Sequence, residues 1–206
     1  HDLWPDPVRY RDLFGKTYFD FQIGSEYFIF LNTNRRGDSL IESYESGYPV
    51  DLDFEQLEYF KELLKKIEKD DGIKHVFILT HHNIWFDDPT IGGISEHEFN
   101  FHDIIEKELL RIPKKFYWIS GNPIIQGIGF VHHKKNGSNI TYMNTNISTR
   151  PEDTILLVEI EPEQAPVFTP ISLTNKEMKP IEFYDLDYVR MVGRRLGTLI
   201  PKKIWY

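Results

Sequence analysis

The sequence predicts an α/β fold, and three observations support that prediction. Short runs rich in β-branched and aromatic residues, bounded by turn residues, recur along the chain. Two stretches between the earlier runs carry apolar residues at helical spacing. The resulting order of strand, helix, strand, helix and strand is typical of α/β proteins, although the last third is β-rich with an antiparallel pattern.

Six strands are predicted from these apolar runs. The clearest is 75–80, because the turn signal Asp71-Gly72 precedes it and its residues are almost all β-branched or aromatic. The predicted strands are 18–21, 27–31, 75–80, 116–120, 140–144 and 154–161. In addition, Asn136-Gly137 predicts the turn of a hairpin that contains His132 and His133.

Two helices are predicted between these strands. The first begins near Asp53, which forms a capping-box-like pair with Gln56, and it ends before Asp71-Gly72. Its apolar residues recur at helical spacing: Phe54, Leu57, Phe60, Leu64 and Ile67. The second helix should run from about residue 98 to residue 111 and end before Pro113.

Length and composition bound the organisation of the chain. With 206 residues, of which 40% are hydrophobic, it can form one domain with a substantial core. We predict a domain over residues 1–161 and a proline-punctuated, aromatic and basic extension over 162–206. The end of that extension, residues 184–206, is expected to be a packing arm, with a partner contact or the entry to another module as alternatives.

Charge and cysteine content exclude several classes of function. The net charge of −8 argues against an extensive nucleic-acid-binding surface. No run approaches the ~18 apolar residues of a membrane span. The chain has no cysteine, so thiol nucleophiles and zinc–thiolate sites are excluded within it. The lack of cysteine and the start at His1 favour an extracytoplasmic location weakly and do not establish one.

Polar residues follow three of the predicted strands, where ligands collect in open α/β sheets. These segments begin at Leu31, Thr80 and Ser120, and the second contains His81 and His82. Because adjacent side chains of a strand point to opposite faces, at most one of the two histidines is expected to bind a metal. His97 and His102 are five residues apart, which places their rings on different helix faces, so a shared zinc ion is excluded.

Taken in order, four segments resemble the calcineurin-like metallophosphoesterase family. Residues 14–34 (FGKTYFDFQIGSEYFIFLNTN) are similar to that family's central hairpin, and 52–66 (LDFEQLEYFKELLKK) to its Q-L-x-W-L helix. Residues 75–85 (HVFILTHHNIW) resemble the strand with its metal-binding histidine, and 116–121 (FYWISG) the strand before its Gly-His-x-His motif. The resemblance implies that the chain is the rear half of a two-sheet α/β sandwich with flanking helices.

The resemblance also assigns roles to individual residues. His1 and Asp2 match the second half of a Gly-Asn-His-Asp motif, so the family's earlier metal-binding motifs would lie in a preceding segment or another chain. His1 would stabilise or protonate the leaving oxygen, Asp2 would orient His1, and His81 would bind a metal. The implied reaction is attack of a metal-bound hydroxide on a phosphoester between two cations.

One departure from the family affects the metal site directly. The chain has Gly121-Asn122-Pro123-Ile124 where relatives have Gly-His-x-His, so two histidine ligands are lost. Asn122 retains a carbonyl oxygen that suits a hard cation, whereas Ile124 has no ligating atom. The expected cofactors are divalent ions (Mn, Fe, Zn or Mg), in a number that this substitution could reduce below two.

Three functions therefore remain open from the sequence. The first is a phosphoester hydrolase with an altered metal site, acting on a small phosphoester or a phosphorylated macromolecule, with His82, Arg35 and Arg36 as substrate-binding candidates. The second is a catalytically degenerate protein of the same fold that acts as a binding or structural module. The third is an unrelated α/β ligand-binding domain.

Overall fold

A computed structural model describes residues 15–33, 52, 54–86, 101–121, 128–145, 153–162, 164–174 and 176–196. Its strands are β1 (Phe19–Ile23), β2 (Glu26–Phe30), β3 (His75–Thr80), β4 (Lys115–Ser120), β5 (Phe130–His133), β6 (Ile140–Thr145), β7 (Thr154–Glu159) and β8 (Val167–Ser172). Its helices are α1 (Phe54–Lys69), α2 (Glu106–Arg111) and α3 (Leu186–Leu196). A π-helical turn (Phe101–Ile105) precedes α2, and a 3-10 turn (Ile181–Phe183) precedes α3.

The predicted α/β class is confirmed by a six-stranded mixed sheet in the order β1-β2-β3-β4-β6-β5. Strands β2, β3, β4 and β6 are parallel, while β1 and β5 pair antiparallel at the two edges. A separate antiparallel pair, β7-β8, forms a second sheet. The four parallel strands therefore present their carboxyl ends along the same edge of the large sheet.

All six predicted strands are present, with ends that differ by at most two residues, and the prediction of 75–80 matches β3 at both ends. The predicted hairpin is also present as β5-β6, and Gly137 in its turn adopts a φ of 76°, a conformation that suits glycine. The predicted extension contains β8 and α3, and Val189 of α3 is fully buried in the main core. Of the predicted arm, the described helix α3 therefore packs against the core.

The main core lies between the large sheet and helix α1. The apolar residues predicted for the buried face of α1 include Leu57, Phe60, Leu64 and Ile67, and all four are buried. They pack with the aromatic side chains of β4, including Trp118, which is fully buried. Phe54 begins the same helix but is 79% exposed, so it lies outside this core.

The opposite face of the sheet carries a row of stacked aromatic rings. Phe21, Phe28, Phe77 and Tyr117 follow one another across β1 to β4 with ring centroids 5.0–5.2 Å apart. Phe168 of β8 continues the row, 4.9 Å from Tyr117. The second sheet therefore packs over the β4 end of this row, which leaves Phe21 40% exposed at the β1 end.

Candidate functional site

The carboxyl ends of β2, β3 and β4 meet at the middle of the sheet edge. Backbone bonds continue past the strands: Leu31 N donates to Leu79 O (3.0 Å), and Gly121 N donates to Thr80 O and His81 O (3.2 and 3.1 Å). These bonds fix the chain where the histidine pair leaves the sheet. The described beginnings of the three polar segments, at Leu31, Thr80 and Ser120, are therefore neighbours in space.

A relay of hydroxyl groups holds the backbone beneath the two histidines. The Thr80 hydroxyl donates to the carbonyl of His82 (2.9 Å) and accepts from Trp118 Nε1 (3.0 Å). Since the single hydroxyl proton of Thr80 is used on His82, the Ser120 hydroxyl is the donor in the 3.1 Å contact between Thr80 and Ser120. Ser120 in turn accepts from Trp85 Nε1 (3.0 Å). Two indoles and two hydroxyls thus hold the turn that carries His82.

His82 is anchored to the end of β2 through Thr33. Its backbone N–H donates to Thr33 Oγ1 (3.1 Å), and the same hydroxyl lies 2.9 Å from His82 Nδ1. Partial burial, with the nearby imidazole of His81 as a second cause, lowers the pKa of His82 to about 4. His82 is therefore a neutral imidazole at pH 7, and it does not supply a fixed positive charge for a phosphate.

His81 has a different environment from its neighbour. It is exposed, and its ring meets that of His82 edge to face, with centroids 4.6 Å apart and planes at 78°. The two rings are in contact and do not lie on opposite faces of the sheet, because both residues lie in the bend that follows β3, where strand alternation no longer applies. His81 is the exposed imidazole at this edge, and His82 forms part of the surface beside it.

Buried amides connect the histidine turn to β6. Asn144 Nδ2 donates to Asn83 Oδ1 (2.8 Å) and to the carbonyl of Ser120 (3.0 Å), and both asparagines are buried. The side-chain amide of Gln56 in α1 accepts a hydrogen bond from the backbone N–H of Asn32 (2.6 Å) and donates one to its carbonyl (2.7 Å). The edge is therefore held by side chains from four strands or loops and from α1, which makes it a rigid platform.

Replacing Thr80 with valine is expected to lower the free energy of unfolding by about 2–3 kcal/mol. Valine keeps the shape but leaves the buried N–H of Trp118 without its acceptor, and each such orphaned group costs about 1–3 kcal/mol. Thr80→Ser retains the hydroxyl and should lose much less. Urea unfolding of both variants measures the difference, and equal losses would show that the hydroxyl relay contributes nothing.

Several sequence-predicted site residues lie outside the described part of the chain. They are His1, Asp2, Arg35, Arg36 and Asn122. Within the described residues, no three His, Cys, Asp or Glu side chains come together as a possible cation site. Over the same residues, no helix is long and apolar enough to cross a membrane.

The three strand ends could be predicted from the sequence, whereas the hydroxyl relay could not. Thr80 and Ser120 are the last residues of β3 and β4, and Thr33 lies three residues beyond β2, so their only sequence signal is a small hydroxyl near each strand end. His132 and His133, expected at the surface, are only partly exposed, and burial lowers the pKa of both.

A search of protein-family models and of curated proteins gives no match to this chain.

Proposed function

We propose that this chain is part of a calcineurin-like metallophosphoesterase domain and that its strand-end histidines contribute to phosphoester hydrolysis. The observation that supports the proposal best is the position of His81, exposed at the carboxyl end of a central parallel strand. That position agrees with the metal-binding histidine implied by the sequence resemblance. The six-stranded sheet would then be one of the two sheets of the family's sandwich.

The donor set of the described residues is incomplete for a divalent cation. It offers His81 and a neutral His82, which suit a transition metal, but no carboxylate groups with them. A two-metal site needs carboxylate or further imidazole ligands. The described residues alone therefore do not fit a complete site, and we derive no catalytic step through a metal. Any further ligands, including Asn122, would come from outside these residues.

The second candidate is a degenerate protein of the same fold that binds a partner without catalysis. The substitution at Asn122 and Ile124 favours it, because two histidine ligands of the resembled motif are absent from the sequence. A rigid, hydrogen-bonded edge would serve a binding module as well as an enzyme. The two candidates differ in whether His81 holds a metal.

Metal content of the longest natively produced form distinguishes these candidates. Elemental analysis should find bound divalent metal, and His81→Ala should lower the metal affinity by at least about 10–100-fold, the loss seen even for outer-shell changes. Hydrolysis of bis(p-nitrophenyl) phosphate with added Mn²⁺ should fall in parallel. The substrate would be a small phosphoester or a phosphorylated macromolecule.

His75→Gln is the matched control, because His75 lies at the amino end of the same strand and pairs with Glu26. Glutamine can still donate to that carboxylate, so this variant should keep its metal. Absence of metal from the folded wild-type protein would reject the hydrolase and favour the degenerate binding module. Equal loss in both variants would reject His81 as the ligand.

A further inference from the structure

A cavity of about 280 Å³ lies on the helix-covered side of the sheet, beside the strand-end site. Trp85, Phe86 and Leu186 line its apolar part. The indole of Trp85 stacks on the ring of Tyr142, with centroids 5.2 Å apart, so the aromatic wall is held in place. This volume is just below the ~300–1,000 Å³ of common ligand pockets, which limits an occupant to a small molecule.

The carboxylate in the cavity lining is already satisfied by protein groups. Glu106 is only 7% exposed. Its Oε1 accepts from Lys135 Nζ and Tyr142 OH, and its Oε2 accepts from His102 Nδ1, all at 2.9 Å. The hydrogen bond from His102 has the largest effect on the pKa of Glu106. Together with the smaller effects of Lys135 and Tyr142, it overcomes the rise that burial causes and lowers that pKa to about 2. Of these three donors, Lys135 is the cation that offsets the negative charge of the ionised Glu106.

The remaining polar lining is basic. Lys135 and Arg190 contribute two positive charges against the one negative charge of Glu106, and His133 also lines the cavity. Arg190 pairs with Asp187 at 2.9 Å, but the Asp187 side chain is 86% exposed, so this pair is weak. The described lining residues therefore carry a net positive charge beside an aromatic wall.

His102 adds a polar atom whose bonding is incomplete. Its Nδ1 donates to the ionised Glu106, which fixes the ring orientation. Its Nε2 is buried and has no hydrogen-bond partner within the described part of the chain. Because Nδ1 carries the donated proton, Nε2 of the neutral imidazole is an acceptor, so it would bind a ligand donor and not a carboxylate oxygen.

We infer that this cavity binds a small organic carboxylate with an apolar body. The apolar part would contact Trp85 and Phe86, and the carboxylate would lie towards Arg190 and Lys135. This site is independent of phosphoester chemistry, so it does not depend on the proposed function.

Benzoate and its neutral isostere benzamide form a matched pair of probes. NMR titration of the chain, following the imidazole resonances, should show saturable binding of benzoate. Benzamide should bind at least about tenfold more weakly, because it has no charge to pair with Arg190 and Lys135, and a tenfold change in affinity corresponds to about 1.4 kcal/mol. Equal binding of the two, or no saturable response to benzoate, would overturn the inference.

Arg190→Met tests the position of the charge without disturbing the core, because Arg190 is partly exposed and its methylene stem is retained. We expect this variant to bind benzoate at least about fivefold more weakly than the wild type, corresponding to a loss of about 1 kcal/mol. Arg195→Met, an exposed change on the same helix, should leave binding unchanged. Equal effects of the two substitutions would place the anion elsewhere and overturn the assignment.

Discussion

Trp118→Ala is expected to destabilise the protein by about 3–5 kcal/mol, the usual cost of truncating a fully buried aromatic residue. Trp118 is 0% exposed in the middle of β4. It meets Phe60 of α1 and Phe101 of the π-helical turn edge to face, with centroids 6.3 and 5.0 Å away. The variant loses both aromatic contacts and the bond to Thr80, so the sheet loses packing with two helical segments at once.

Two further variants separate the loss of buried packing from the effect of removing any aromatic side chain. Phe54→Ala removes an aromatic side chain that is 79% exposed, and it should change stability by no more than about 0.5 kcal/mol. Trp118→Phe keeps one ring but loses the indole N–H, and its cost should lie between the other two. Urea unfolding at neutral pH measures all three. A cost below about 1 kcal/mol for Trp118→Ala would show that this side chain is not enclosed as described.

The large sheet could be predicted because its strands leave strong local signals. Runs such as 75–80 are short, apolar and flanked by turn residues, and buried parallel strands have this pattern. Strand β8 could not be predicted in the same way, because Pro170 interrupts its pattern. Proline is tolerated there because β8 pairs only with β7, which leaves its other edge free of ladder bonds among the described residues.

The site was predictable only at the level of strand ends. Alternation along a strand predicts that the side chains of His81 and His82 point to opposite faces, but both residues lie in a bend beyond β3 and their rings are in contact. It cannot predict that Thr33 binds His82, because those residues are 49 positions apart and meet only through the parallel pairing of β2 with β3. The environment of Glu106 was also missed, because its donors come from the preceding turn, from the β5-β6 loop and from β6.

Glu106→Gln is expected to lower stability at pH 7 by about 2–3 kcal/mol, and this loss should disappear in acid. The pKa of Glu106 is about 2 in the folded protein against an ordinary 4.5, and each unit is worth about 1.4 kcal/mol. The exposure of Lys135 reduces that figure somewhat. Because the folded-state pKa is the lower one, the ionised carboxylate stabilises the fold fully above about pH 4.5. That contribution is lost as the pH falls towards 2.

Comparison of wild type and variant isolates this carboxylate from the other acid-sensitive groups. His82, whose pKa is lowered from 6.5 to about 4, also destabilises the fold as the pH falls through that range, but it does so in both proteins and cancels in the difference. Glu108→Gln on the same helix is the control, because Glu108 is half exposed and pairs only with the exposed Arg111 among the described residues.

Urea unfolding between pH 7 and pH 3 measures how the free energy of unfolding of each variant differs from that of the wild type. The Glu106→Gln difference should shrink as the pH falls, while the Glu108→Gln difference should stay small. A difference that is constant with pH would mean that Glu106 stabilises the fold through packing and not through its negative charge.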